Sequence, residues 1–311
     1  MKGIVIRSTG SAATVKAEDG RRIECKVKGI FKNKGLRTTN PLAVGDNVVI
    51  EPVTGGDYYV ISEIEDRHNY IIRRSINLSK EAHILAANID QALVIVTLHS
   101  PKTSFGFIDR VLITCEAYHI PAKIIVNKAD LYNNDKSLDI ASNLKEVYEK
   151  AGYDILFVSA LENLNLDILK ELMKGKINLL TGHSGSGKSS LVNAIAPDFK
   201  LRTGEISAAH LKGMHTTTFA ELFEIDKDTY IIDTPGIKEF GIVDMDKSEV
   251  RNYFPEFQKF IAKCKFANCM HVNEPGCAVK LAANKNEIAP QRYDSYLGLL
   301  VSEEISKDPW K

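Results

Sequence analysis

The 311-residue chain balances 40 Lys+Arg against 40 Asp+Glu and is 44% hydrophobic, long enough for more than one cored domain. Zero net charge gives no argument for a nucleic-acid or membrane partner. No apolar run reaches about eighteen residues and no basic-plus-apolar leader stands at the start, so neither a transmembrane segment nor a signal peptide is expected.

The charge is nevertheless uneven. Residues 1–40 carry ten Lys/Arg and three Asp/Glu. Such an excess favours a polyanion through counterion release, although a solubilising surface reads the same way. Five cysteines, three of them between Cys264 and Cys277, suit metal ligation in a reducing cytoplasm better than a secreted disulfide framework.

Residues 1–72 read as β-rich. GIVIRS, ATVKA, RRIECKV, NVVIEPV and YYVISEI are short runs rich in Val, Ile and Tyr, with Asp19-Gly20 and Gly45-Asp46 as turn signals. The spacing predicts a small barrel or sandwich. A five-stranded OB-type barrel fits the length, and strand patterning does not separate it from an SH3-like barrel. Residues 73–242 change texture. QALVIVTLH, AKIIVNK, DILFVS and KINLLTG are continuous apolar runs ending at polar loops, as strands of a helix-covered parallel sheet require. Helices are expected over 107–118, 139–151 and 166–173, giving a βαβα alternation and an α/β layer sandwich. Further strands are expected at 218–224 and 229–233. Residues 243–311 turn mainly helical around the cysteine cluster.

Gly182-His183-Ser184-Gly185-Ser186-Gly187-Lys188-Ser189 fits G-x-x-x-x-G-K-[ST] without a mismatch, after the strand NLLT and at the start of a helix that continues through Ser190. Such a loop turns successive N–H groups toward phosphate oxygens. Lys188 then reaches the β- and γ-phosphates, and the Ser189 hydroxyl ligates Mg²⁺. Ser184 and Ser186 tune the loop rather than perform chemistry, and His183 fills a variable position. Asp233-Thr234-Pro235-Gly236 follows the apolar YIID, forty-four residues after Ser189. There Asp233 is placed for the metal and the Gly236 N–H for the γ-phosphate. The intervening His215-Thr216-Thr217-Thr218 offers a switch threonine for the metal, of which Thr217 is the choice.

Asn127-Lys128-Ala129-Asp130 closes AKIIV and specifies the base. A carboxylate at Asp130 accepts both N1–H and N2–H of guanine, a donor pair that adenine lacks. Lys128 covers the purine plane, Asn127 ties this loop to the phosphate loop, and Ser159-Ala160 brings a backbone N–H toward guanine O6. These elements precede the phosphate loop, the reverse of the usual linear order, as in a circular permutation. Where many GTPases carry glutamine, Ile237 stands and cannot polarise water. His215 is the local candidate for orienting water, with a structural role as the alternative. Slow intrinsic turnover, stimulated by a large partner, is therefore expected.

Cys264, Cys269, His271 and Cys277 form C-x₄-C-x-H-x₅-C. Three thiolates and one imidazole suit one tetrahedral Zn²⁺ per chain with no open position, a structural clip rather than a hydrolytic centre. Cys25 and Cys115 read as apolar fillers.

Taken together, the permuted order of NKAD, SA, GHSGSGKS and DTPG, TGEIS at 203–207, HTTT at 215–218 and the Cys/His spacing resembles the RsgA family of ribosome small subunit-dependent GTPases. The resemblance implies an N-terminal OB-fold, a central circularly permuted GTPase domain and a C-terminal zinc domain. It implies action late in 30S subunit maturation, rRNA binding, and GTP hydrolysis stimulated by the subunit. It places the family's hydrolytic histidine at His215. Met214 stands where the family commonly has arginine, which removes support for an RNA contact there. A cytoplasmic monomer without a membrane partner is expected. The competing readings are a translational or signalling switch that does not bind RNA directly, and a GTP-dependent scaffold that does not hydrolyse.

Overall fold

The computed structural model describes residues 1–9, 12–27, 42–53, 55–56, 58–74, 82–197, 220–233 and 245–302; at 73, 74, 82, 83 and 233 the description covers the backbone alone. The chain divides into two compact units. Met1–Ala92, Lys170–Leu180 and Ile195–Lys238 form one, and Leu93–Leu169, Thr181–Ala194 and Glu239–Lys311 form the other.

The first unit holds a five-stranded barrel of β1 (Lys2–Ser8), β2 (Ala12–Ala17), β3 (Arg22–Val27), β4 (Asn47–Pro52) and β5 (Tyr59–Ile64). In β3 the alternation is complete: Arg22, Glu24 and Lys26 face solvent while Ile23 and Cys25 are buried. The inward residues, among them Val5, Val15, Ile50 and Ile61, make one apolar core. Strands run in the order β1-β2-β3-β5-β4 and close through β1–β4, with β3 and β5 parallel. That order decides for the OB-type barrel, which patterning left open. Two further strands, β6 (Tyr70–Arg74) and β7 (Ala82–Ala87), pair antiparallel and were not expected from the sequence.

The same unit contains β11 (Ile177–Thr181) beside β13 (Thr229–Asp233), paired parallel as the apolar runs predict. Its neighbour β12 (Glu221–Asp226) runs antiparallel to β13, joined by a tight turn with Asp228 at φ +53°. The sequence predicts strands here without a direction, and two strands joined by so short a turn have to reverse. Barrel strand β1 pairs with β12 at Arg7↔Glu221, so the barrel continues the edge of this sheet. Lys16 crosses the same seam, donating to Glu224, to Asp228 at 3.1 Å and to the Tyr230 hydroxyl at 2.9 Å.

In the second unit β9 (Ala122–Val126) and β10 (Ile155–Phe157) are parallel, and β8 (Gln91–Val96), buried at every position, lies next to β9. Helix α1 (Phe105–Ala117) starts at Ser104, whose hydroxyl accepts from Phe107 N–H at 3.3 Å. Helix α2 (Asp135–Lys150) starts at Asn134 in the same way, accepting from Ser137 N–H at 3.0 Å. α3 (Leu166–Met173) lies where the sequence predicts it, and α4 (Lys188–Ile195) opens at the phosphate-loop lysine. The C-terminal part comprises 3₁₀ turns at Val250–Tyr253 and Pro255–Phe257, then α5 (Gln258–Ile261), α6 (Ala278–Asn284) and α7 (Pro290–Val301). It is built around Phe254, Phe257 and Tyr296, and Ile113 of α1 belongs to the same core.

An ion triad lies across this contact. Arg292 of α7 donates to Asp109 of α1 at 2.7 Å and to Glu256 at 2.6 and 3.1 Å. Arg292 and Asp109 are wholly buried. Tyr148 of α2 adds a hydroxyl to Asp109 at 2.8 Å, and the guanidinium lies over the Phe254 ring. Burial opposes the charge of Arg292, but the two carboxylates outweigh it and hold its pKa well above the ordinary value. Replacing Arg292 with Met leaves two carboxylates buried without their cation. The expected loss is about 3–5 kcal/mol in denaturant unfolding.

Candidate active site

The phosphate-loop motif lies where strand β11 gives way to helix α4, and its glycines are fixed by what surrounds them. Gly182 stands at φ +147° with the space of a Cβ taken by Ile95 O, 2.2 Å away. Gly187 stands at φ +89°, and a Cβ there would lie 2.3 Å from Asn127 Nδ2. Lys188 Nζ donates back to Gly182 O at 2.6 Å and His183 O at 2.8 Å, so the ammonium closes the loop on itself. Ser186 is fully buried, and its hydroxyl has no hydrogen-bond partner among the described residues. Ser184, Gly185 and Ser190 are exposed, and Ser189 is half-buried. The His183 ring stacks on Phe107 of α1 with centroids 3.6 Å apart. Burial lowers its pKa, and the Lys188 charge adds to that.

The NKAD segment meets this loop directly. Asn127 Nδ2 donates to Ser186 O at 2.9 Å, although the two residues are 59 positions apart. Lys128 takes a left-handed conformation, φ +62°, and its Nζ donates to Ser100 O at 2.5 Å. Ser159 closes the other side, donating from Oγ to Asp130 Oδ1 at 2.5 Å and accepting the Glu162 N–H at 3.1 Å. Ala160 N–H points to Asn127 Oδ1 at 3.4 Å. Residues 127–130, 159–160 and 182–189 therefore converge on one place, with a carboxylate at one end and a helix N-terminus with its lysine at the other. That arrangement can take a planar donor-bearing base and an anionic tail.

Asp233 ends β13, with only its backbone described. His215, Thr217 and Gly236 lie outside the described residues. Sequence reasoning missed Phe107, Ser100, Pro101 and Tyr132, which brace the two loops. No motif marks them, because their role depends only on proximity in space.

The sulfur and imidazole donors of Cys264, Cys269, His271 and Cys277 all lie within 4.8 Å of one another. His271 Nδ1 is 3.6 Å from Cys264 Sγ and 3.4 Å from Cys277 Sγ. Tetrahedral bonds of about 2.0–2.3 Å put donors about 3.6 Å apart, so the four fit a single metal ion. Burial pushes the Cys269 thiol up to about 12, so a cation is what would make these thiolates tenable. The chain around them is held by main-chain capture: Arg251 donates to Cys269 O at 2.6 Å, Tyr293 to His271 O at 2.6 Å and Tyr296 to Met270 O at 2.6 Å. Glu274 accepts N–H groups from Met270, Val272 and Asn273.

The class that fold and site define is a circularly permuted phosphate-loop GTPase with a barrel before it and a Cys/His cluster after it. The model described as RsgA GTPase matches residues 64–243, and that described as RsgA N-terminal domain matches residues 2–61. Small ribosomal subunit biogenesis GTPase RsgA 2 of Bacteroides thetaiotaomicron is 54% identical over 309 residues, covering 99% of this chain and 98% of that protein. Small ribosomal subunit biogenesis GTPase RsgA of Phocaeicola vulgatus is 55% identical over 309 residues, with the same 99% and 98% coverage. Among solved structures, YjeQ from Thermotoga maritima superposes with a TM-score of 0.80 at 36% identity, covering 98% of this chain and 99% of that one. YloQ, a circularly permuted GTPase, gives 0.74 at 26% identity over 98% and 94%. The chain belongs to the RsgA GTPase family, and it is a GTP hydrolase.

Two outcomes follow from the local geometry. Gly187→Ala drives a methyl into the Asn127 amide and lowers affinity for a fluorescent guanine nucleotide by about tenfold or more. At Glu274, burial opposes the charge, but the three N–H donors outweigh it and lower the pKa below 4.5. A lowered folded pKa stabilises the fold above 4.5 and loses that contribution as pH falls through the folded value. Glu274→Gln should therefore cost about 1 kcal/mol at neutral pH, the half-exposed site being screened by solvent. In denaturant titrations at several pH values, the gap to the parent closes in acid.

Proposed function

We propose that this GTPase acts in maturation of the small ribosomal subunit, binding GTP, docking on the subunit and its rRNA, and releasing GDP and phosphate there. The observation that carries the reading is similarity over nearly the whole chain, at 54% and 55% identity, to proteins named for small ribosomal subunit biogenesis. The basic excess of residues 1–40 supports an RNA partner for the barrel.

In this reading, residues 1–72 bind RNA, 73–242 hydrolyse GTP and 243–311 form a zinc domain. Asp130 accepts the two guanine donors, Lys128 covers the ring, Asn127 joins the loops, and Ser159 and Ala160 close the base pocket. Residues 182–190 wrap the phosphates, with Lys188 at the β- and γ-phosphates and the Gly236 N–H at the γ-phosphate. The hydroxyls of Ser189 and Thr217 and the carboxylate of Asp233 are hard oxygen donors that suit Mg²⁺, which when bound neutralises phosphate charge. His215 orients the attacking water, because Ile237 cannot. Cys264, Cys269, His271 and Cys277 hold one structural Zn²⁺. The protein works as a cytoplasmic monomer in this reading. No helix among the described residues is long and apolar enough to cross a membrane.

Four measurements test the assignment. Asp130→Asn should move nucleotide preference from guanine to xanthine, because the amide donates where the carboxylate accepted. GTP turnover should be slow alone and rise severalfold with small ribosomal subunits, and it should fall in His215→Ala; subunit-independent turnover would overturn the partner role. Salt-dependent binding to the subunit separates direct RNA contact from a switch that touches protein alone. Protein purified without chelator should carry about one zinc per chain.

A further inference from the structure

We propose that Tyr132 is a positioning residue of the nucleotide site, its hydroxyl clamping the base-reading segment to the turn at 97–104 and thereby setting guanine affinity. The proposal rests on the reading of Asp130 as the guanine acceptor. Tyr132 is 7% exposed and stands two residues after Asp130, at the end of the 3₁₀ turn Ala129–Leu131. Its hydroxyl donates to Asn127 O at 2.5 Å and accepts the Leu98 N–H at 3.0 Å. One phenol thus satisfies a buried carbonyl of the base-reading segment and a buried N–H of a different stretch of chain. Burial raises its pKa, so the hydroxyl keeps the proton it donates.

The segment needs this restraint. Lys128, between the clamped carbonyl and Asp130, has φ +62°, a conformation unfavourable for a residue with a side chain. Among the hydrogen bonds that oppose its relaxation, two run to the same turn: Leu98 N–H to the Tyr132 hydroxyl, and Lys128 Nζ to Ser100 O. The turn is itself braced, since Thr97 Oγ1 donates to Pro101 O at 2.5 Å and Thr97 N–H donates to Thr103 Oγ1 at 3.1 Å. Its Pro101 ring lies against Gly185 of the phosphate loop, with Cδ 3.4 Å from where a Cβ would stand. Both loops of the site are therefore registered against one rigid turn. A carboxylate that must accept two donors at once tolerates a displacement of only about 0.5 Å. The ring packs edge-on to His99, centroids 6.0 Å apart, and phenylalanine preserves that contact, so Tyr132→Phe isolates the hydroxyl.

The full-length protein is compared with Tyr132→Phe, Asp130→Asn and the double variant, by fluorescent GDP and XDP binding and by steady-state GTP hydrolysis. Tyr132→Phe should weaken GDP binding and raise KM for GTP about five- to twentyfold, the effect of stripping partners from buried polar groups. kcat at saturating GTP should be retained. In the double variant, XDP affinity should fall by the same factor relative to Asp130→Asn, because the clamp aims position 130 whatever base it reads. If Asp130→Asn prefers XDP while Tyr132→Phe binds GDP as tightly as the parent, the clamp is refuted and the guanine reading stands. A fall in kcat at unchanged KM refutes the clamp as well. If Asp130→Asn keeps its guanine preference, the guanine reading itself fails.

Discussion

The proposed nucleotide site depends on one buried amide. Asn127 is 2% exposed, its N–H donates to Val96 O at 2.9 Å, and its side chain donates to Ser186 O. That single side chain bonds the NKAD segment to the phosphate-loop motif, and its amide occupies the space a Cβ at position 187 would need. Because the contact is spatial, the order of the two segments along the chain is immaterial to the site. A permuted chain builds the same constellation so long as its new connections emerge at surface loops.

Permutation does change what the site is covalently tied to. Strands β12 and β13 lie between the threonine-rich segment and DTPG, and the barrel is hydrogen-bonded to β12 through β1. Lys16 reinforces that seam with donors to two carboxylates and a phenol, and it is largely buried. Burial disfavours its charge, yet the bonds to Glu224, Tyr230 and Asp228 prevail and raise its pKa. Within the first unit the barrel thus continues the edge formed by β12 and β13.

Helix α1 makes the corresponding junction in the other unit. From its first turn Phe107 stacks on His183 of the phosphate loop, while Asp109 enters the triad with Arg292 and Glu256. The two residues are about 200° apart around the helix, so opposite faces serve the two contacts. The metal-ligand loop hangs from the same C-terminal core through Tyr296, whose ring packs against Phe254 and Phe257 while its hydroxyl holds Met270 O. A buried ion triad is weak support for stability in itself, although removing one partner from it is costly.

The sequence by itself determined the local elements and the chemical vocabulary. Short runs rich in Val, Ile and Tyr before residue 65 and continuous apolar runs from Gln91 onward are written residue by residue, and the strands lie where those patterns put them. G-x-x-x-x-G-K-S, NKAD and the Cys/His spacing are equally local, each needing only neighbours a few positions away. Tertiary structure alone decided the OB strand order, the reversal of β12 against β13, the hairpin of β6 and β7, and the contacts of Tyr132, Phe107 and Arg292. The physical reason is the same in each case. A tyrosine hydroxyl, an aromatic face or a guanidinium has no fixed partner at a fixed offset; Leu98 lies 34 positions from Tyr132 and Asp109 lies 183 from Arg292, and each pair comes within bonding distance only when the chain has folded.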